Sequence, residues 1–557
     1  MEDIGQVSGL GFASELGEHP LKARVGAQRI PDRVESNLLN RDAGRRLQRP
    51  VEESERGIEI AADRCCEIFD PSNRSISQKF CTVLRKQLGR AQCAIFNGRK
   101  PMNERRILSR PRALWAAALG LSFLLSIFAA FRGGYVGPDY WTHMPRLIEA
   151  SKIFVFIEID PPVYLLLGHA LFLLVGKNNA FPITLSIIQA AINAVALWWF
   201  FIYSERRFKS PLLHLALVFF LAFLPVRIIH ATVVGTDWLT VPLFVLILFL
   251  FDKFLRDETS TAKNAAFLGW VLAIAVWSKY SFAALLPALF LIFTFLWRKR
   301  GWDLKRFVTI CALSFVLPSA LLLYTVWASA QVQGLGTHGT WLKEGEKPDM
   351  NYKDLFSLKA NDAQLFRAPE YFRAPEYREP QYFERDIRFP HKHSYLALSH
   401  LSVFTDPLNL FQDLRVPDHF DASLNPDVKT RRSWKTPVMV ASTSLGALWT
   451  VLALIATPWA FFGALKNLFR DKLEREDAMA FLGTAYFLLM FLPIPFVRFG
   501  CLYGYWTPRL ILPALLFFFL AAFLLLDRKI VGESRRLAFG VLVLVIVQCA
   551  IEIAMLA

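Results

Sequence analysis

Arg110-Pro111-Arg112-Ala113-Leu114-Trp115-Ala116-Ala117-Ala118-Leu119-Gly120-Leu121-Ser122-Phe123-Leu124-Leu125-Ser126-Ile127-Phe128-Ala129-Ala130-Phe131 decides the fold. Nothing from Leu114 to Phe131 is charged, and a helix needs about 20 apolar residues to cross a hydrocarbon core. Arg105, Arg106, Arg110 and Arg112 precede the run. Basic flanks stay on the cytoplasmic side, so this end is expected inside and the next segment outside. The pattern recurs along the chain. Of 557 residues 54% are hydrophobic and 14% aromatic, against roughly 45–50% apolar in ordinary soluble domains. The excess lies in long runs, which predicts an all-α polytopic membrane protein with the lipid bilayer as its first partner.

Taken in order, the runs predict spans over Leu114–Phe131, Pro182–Tyr203, Leu212–Ile229, Trp238–Phe251, Ala265–Trp277, Phe282–Trp297, Phe307–Ala328, Val438–Phe462, Phe481–Val497, Leu510–Leu526 and Leu537–Leu556. That is about 11 transmembrane helices by hydropathy. Glu205-Arg206-Arg207-Phe208-Lys209, Lys253 with Arg256, Arg298-Lys299-Arg300, Lys466 with Arg470 and Lys472, and Asp527-Arg528-Lys529 all then fall inside. Pro161 to Val175 is apolar but short and opens on two prolines, so it is expected as a re-entrant or interfacial helix in the first outer loop.

The domain reading follows. Residues 1–110 are polar and Arg-rich, and are expected as a disordered cytoplasmic extension. An alternative start at Met102, whose Met-Asn-Glu-Arg-Arg leads straight into the first apolar run, would make residues 1–101 non-native. Residues 111–330 form an N-terminal transmembrane core with a first outer loop over 132–180. Residues 331–436 are one large extracytoplasmic loop, and 437–557 the C-terminal helices. The loop carries a tandem repeat, Arg367-Ala368-Pro369-Glu370-Tyr371-Phe372 and Arg373-Ala374-Pro375-Glu376-Tyr377-Arg378, which reads as an extended spacer. In His391 to Asp413, the residues Tyr395, Leu398, Leu401, Val403, Phe404, Leu408 and Phe411 give an apolar face expected on the membrane or the outer loops.

Two function classes drop out. The net charge of +16 invites nucleic-acid binding, but the cations cluster at the ends of apolar runs and no recognition motif accompanies them. Of the seven cysteines, only Cys501 falls in an expected outer loop, so no disulfide framework is available there.

Ionisable residues beside apolar runs carry the chemistry, because they are costly at membrane depth. Gly137-Pro138-Asp139-Tyr140-Trp141-Thr142-His143 continues through Arg146 and Glu149 to Asp160-Pro161-Pro162-Val163-Tyr164. Asp237, in Gly235-Thr236-Asp237-Trp238, opens a span. Arg227, Lys279, Arg498 and Arg509 are cations expected at the same outer level. Such a set suits transfer from a phosphate-linked lipid: Lys279, Arg498 and Arg509 to hold phosphate, Asp139 as general base and Asp237 as a second catalytic candidate. His143, Arg146, Asp160 and, in the late outer turn, Tyr505 are candidate substrate contacts. For Lys279 the plainer reading is a helix end, and for Asp237 an N-cap. His143 and His230 read as structural residues. No metal-ligand spacing is present and no cofactor is required; a divalent metal stays open without support.

Four short segments, in this order, resemble the multi-spanning C-type glycosyltransferases, near the protein O-mannosyltransferases and the bacterial lipid A aminoarabinose transferases. They are Asp139 after the first span, Asp160-Pro161-Pro162-Val163-Tyr164-Leu165-Leu166, Trp277-Ser278-Lys279-Tyr280-Ser281 with Leu286-Pro287-Ala288, and Pro508-Arg509-Leu510-Ile511-Leu512-Pro513-Ala514. The likeness runs over about residues 112–530. It implies inverting transfer of a sugar from a polyprenyl-phosphate sugar donor to an envelope lipid, glycan or protein acceptor, outside a bacterial inner membrane. Asp139 would be the base, and Lys279 and Arg509 would contact the donor phosphate. Two departures stand out: Tyr140 follows Asp139 where many relatives have a second acid, and Leu510 stands where Tyr is common. A transporter or flippase of lipid-linked sugars, and a non-catalytic envelope-assembly protein, are the rival readings.

Overall fold

The computed structural model describes residues 104–131, 140–149, 162–176, 180–257, 261–333, 357–358, 394–405, 435–470, 474–492, 511–530 and 534–556. The calls on the N-terminal extension up to 103, the tandem repeat, Leu408, Phe411 and Asp413 lie outside these residues. The described part holds helices and no strands.

In chain order the helices are α1 (Glu104–Phe131), α2 (Tyr140–Ile148), α3 (Pro162–Val175), α4 (Ala180–Glu205), α5 (Pro211–Phe223), α6 (Pro225–Thr232), α7 (Thr240–Arg256) and α8 (Thr261–Ser278). There follow α9 (Leu285–Arg300), α10 (Leu304–Gln333), α11 (Tyr395–Phe404), α12 (Lys435–Phe469), α13 (Arg475–Phe491), α14 (Leu512–Leu525) and α15 (Arg535–Leu556). Short 3-10 turns, Thr236–Leu239 and Tyr280–Ala284, lead into α7 and α9. Among the described residues seven helical segments are long and apolar enough to cross a membrane, or eight if α5 and α6 count as one bent span. The chain is therefore a polytopic integral membrane protein, helical throughout its described residues. α3 is apolar but, at 14 residues, too short to cross. It stops at Gly176, whose φ of 81° is a left-handed conformation that favours glycine.

Local chemistry sets the bend between α5 and α6. Ser210 caps α5 by accepting from Leu213 N, and Pro211 opens its first turn. Pro225 then removes a backbone donor, so the helix breaks at Leu224 and turns by 45°.

Contacts between helix ends sort those ends into two faces. On one face Arg112 pairs with Glu205 at 3.1 Å, and Arg300 donates to the Leu255 carbonyl at 2.6 Å. Arg306 reaches the Thr261 hydroxyl at 3.2 Å. Asp252 holds both Arg256 and Arg475. The Asp527 carboxylate accepts from the backbone N–H groups of Lys209 and Ser210 at 2.8 and 2.9 Å. On the other face Ala129, Ile228, Val438, Met439, Met555 and Leu556 form one apolar cluster. Lys279 meets Asp237 there, and the Tyr395 hydroxyl donates to the Phe491 carbonyl at 3.0 Å. The ends named here lie with the partners that the alternating order of runs assigns to them.

The core between the faces is aromatic. Phe220 touches Phe404, Trp449, Phe519 and Phe523, and Phe244 joins Tyr486 and Phe517. Apolar side chains also cover the outside: Val316, Leu323 and Trp327 of α10 are 62%, 66% and 60% exposed. Hydrocarbon is the solvent that accepts such a surface.

One expected element differs. α11 does not lie on a surface with one apolar face: Tyr395, Leu401, Val403 and Phe404 are buried, and so are Ser399, His400 and Ser402. His400 bonds the Thr450 hydroxyl at 2.9 Å and the Thr443 carbonyl at 3.0 Å, and Ser442 donates to the Phe404 carbonyl at 2.9 Å. His400 on the polar side of α11 thus finds partners on α12, which lets that side be buried. Burial pushes the His400 imidazole down to about 4, so it sits neutral near pH 7. The Leu398 side chain lies outside the described ones.

Candidate functional site

The centre of the site is a loop held by a helix. Between α6 and α7 the backbone leaves the helical path over Val233 to Gly235. Its polar groups need partners, because non-helical backbone at membrane depth is tolerated only where protein satisfies it. α4 supplies them. Ser186, Gln189 and Asn193 fall at i, i+3 and i+7, on one face of the helix. Ser186 donates to the Thr232 carbonyl. Asn193 donates to the Trp238 carbonyl at 2.9 Å. The Gln189 amide, oriented by its neighbours, donates to the Val233 carbonyl at 3.0 Å and accepts from the Trp238 indole at 3.1 Å. All three side chains are buried.

That framework presents Asp237. Its carboxylate forms an ion pair with Lys279 and lies 3.9 Å from His230 Nδ1. All three residues are buried, with Asp237 5% and Lys279 8% exposed. Lys279 follows the last turn of α8 in extended conformation and starts the 3-10 turn into α9. It does end a helix, and it is also the counter-ion of Asp237. Asp237 lies within the first turn of its 3-10 segment rather than at the cap, which is Gly235.

A ladder of rings links this pair to the first outer loop. The His143 ring meets Tyr164 edge-on at 5.6 Å, and Tyr164 meets Trp238 at 6.4 Å. Tyr164 is fully buried on α3, the short helix after the double proline. His143 and Arg146 are three apart on α2, hence on one face, and both are buried. Gly168 of α3 lies against Leu147 of α2, and His169 bonds the Leu147 carbonyl at 2.8 Å. Thus His143, Arg146, Asp237 and Lys279, four of the residues singled out from sequence, belong to α2 or to the turns beside α7 and α8. Of these, His143, Asp237 and Lys279 are joined by the contacts above. Asp139, Asp160, Arg498, Tyr505 and Arg509 lie outside the described residues.

Arg227, expected with Lys279 among the cations of the outer level, has its own partners: its guanidinium bonds the Ser122 hydroxyl in the middle of α1 and the Ala222 carbonyl. Ala222 lies in the last turn of α5, where carbonyls lack helical donors, and a cation at a helix C-terminus also suits the dipole. Arg227 therefore caps the broken end of α5.

Several buried polar residues escaped the sequence reading. His230, read from sequence as a structural or surface residue rather than a metal ligand, is buried and faces Asp237. The Ser186, Gln189, Asn193 stripe was legible as polar residues at helical spacing within an apolar run. In α15 Gln548 donates to Glu552 at 2.7 Å and to the Ser442 carbonyl at 3.1 Å, and Glu552 is fully buried. Among the described residues no group of three His, Cys, Asp or Glu is placed to hold a metal ion.

The fold and this buried polar centre define the class: a polytopic helical membrane protein with an acid–lysine pair at one end of its bundle. No protein-family model, curated protein or solved structure matches the chain.

Proposed function

We propose that the protein is a membrane glycosyltransferase that moves a sugar from a polyprenyl-phosphate-linked donor to an envelope lipid, glycan or protein acceptor. The working face is the one carrying Lys279. The opposite face holds most of the basic helix ends, which supports reading it as cytoplasmic and the Lys279 face as the outer one. The proposal reads eleven spans, counting α5 with α6 as one and adding α8, α13 and α14 to the segments that cross by length and composition.

The observation that carries the reading is the buried Asp237–Lys279 pair, joined by His143, Tyr164 and Trp238 to the stretch that begins at Asp139. Reaction would break the bond between the sugar's anomeric carbon and the phosphate oxygen and form one to an acceptor hydroxyl oxygen. Asp139 takes the hydroxyl proton as general base. The departing polyprenyl phosphate keeps the bonding electrons, and Lys279 with Arg509 and Arg498 meets that negative charge. Asp237 acts through Lys279, holding its ammonium in place until an anion arrives. His143, Arg146, Asp160 and Tyr505 line the approach of the sugar and acceptor.

One observation favours a second reading. Buried Arg227 and Glu552 put ionisable groups inside the helices, as a flippase of lipid-linked sugars would need. A transfer assay in open membrane fragments separates the two, because flipping has no meaning there. The transferase predicts that Asp139→Asn lowers turnover by about 10²–10⁴-fold while donor binding persists, and that mass spectrometry of source cells finds one lipid-linked sugar accumulating as one envelope glycan loses a residue. Equal turnover of variant and parent at equal protein level would refute the mechanism.

A further inference from the structure

The turn between α9 and α10 gathers five cations, Arg298, Lys299, Arg300, Lys305 and Arg306, against the single carboxylate of Asp303. We infer that this turn is a binding site for the headgroup of an anionic phospholipid of the protein's own bilayer. The inference is independent of the glycosyltransferase reading.

Three observations carry it. The first is that the turn is built rather than loose. Gly301 takes φ of 60°, the left-handed end of α9 that a glycine tolerates best. The Trp297 indole donates to the Trp302 carbonyl at 2.8 Å, and Trp297 stacks on Phe307 across the turn at 4.7 Å. The second is the placing of charge. Trp302 is buried, and the guanidinium groups of Arg300 and Arg306 lie 5.7 and 5.5 Å from its ring centre. Both cations thus lie against one buried ring. Arg298, Lys299, Lys305 and Arg306 are exposed around it.

The third is the apolar setting. Leu304 and Val308 alternate with Lys305 and Arg306 on the first turns of α10, and both are exposed. Below them runs the exposed apolar side of α10. A molecule fitting this edge needs an anionic head at the turn and hydrocarbon along the helix, which a free phosphate lacks. Asp303 already accepts from the Arg306 backbone N–H at 2.8 Å, so the helix start is satisfied and the headgroup meets side chains. Basic sites between helices on a cytoplasmic side are known to suit anionic lipid headgroups.

The test uses the full chain in vesicles of phosphatidylcholine and phosphatidylglycerol, extracted gently, with retained lipid read by native mass spectrometry. The parent should retain phosphatidylglycerol over phosphatidylcholine, and inorganic phosphate should not displace it. Arg298→Gln/Lys299→Gln/Lys305→Gln/Arg306→Gln should lower that retention by about fivefold or more. Gly301→Val keeps every charge but strains the turn, and should lower it as well. Lys466→Gln/Arg470→Gln/Arg528→Gln/Lys529→Gln removes equal charge elsewhere on the face and should change little. The proposal is overturned if the parent shows no preference, if phosphate displaces the lipid, if both charge variants lose it equally, or if Gly301→Val retains it fully.

Discussion

Lys279 and Asp237 come from turns beside different helices, and the ion pair between them is buried. Breaking a buried pair from one side leaves an uncompensated charge, which costs about 3–5 kcal/mol, whereas removing both partners costs far less. Lys279→Met and Asp237→Asn should each destabilise the detergent-purified protein by that amount, and the double variant should recover most of it. Thermal unfolding in one detergent measures this; single variants as stable as the parent would mean that the pair does not hold the site. Both residues are legible in sequence as ionisable groups at the ends of apolar runs, at one expected level. Their direct pairing was not legible, because it depends on how the loop from Val233 to Gly235 is held by Ser186, Gln189 and Asn193. Arg227 had the same sequence signature as Lys279 and a different fate. Only the break at Pro225 decides that its guanidinium turns back to the Ala222 carbonyl.

At the scale of the element, small residues decide how closely helices approach. On α8, Ala265, Gly269 and Ala273 recur every four residues, the spacing of a close membrane interface. Ser314 of α10 donates to the Ala265 carbonyl at 3.3 Å, and a Cβ on Gly269 would fall on the Leu313 backbone carbonyl. Backbone cannot step aside as a side-chain tip can, so Gly269→Ala should cost about 1–3 kcal/mol through overpacking. Gly120 of α1 has open space where its Cβ would be, so Gly120→Ala should be neutral or slightly stabilising in the same unfolding measurement. Equal effects at the two positions would show that the α8–α10 approach is not set by Gly269. α11 shows the limit of pattern reading. Its apolar residues were identified, but its burial on both sides was not, because the partners of Ser442 and His400 lie far along the chain.

For the whole molecule, hydropathy and flanking charge carry most of the architecture, since lipid forces every spanning segment to satisfy its own backbone. The contacts at both ends of the bundle agree with the alternation. Less legible were the breaks: hydropathy sees Leu212–Ile229 as one run, while Pro225 divides it. Alternation fixes which ends lie together but leaves the choice of face to the basic residues. That choice is open to measurement in a Cys501→Ser background, with a membrane-impermeant maleimide on intact cells. Glu149, exposed, directly follows α2, the helix that carries His143, and Lys299 lies in the basic turn. Glu149→Cys should label from outside, and Lys299→Cys only after the membrane is opened. The reverse pattern would put Asp237 and Lys279 in the cytoplasm and remove the outer-face transfer reading. Labelling of both from outside would break the alternation itself, because ends sorted by Arg112–Glu205 and by Lys279–Asp237 would then share one side of the bilayer.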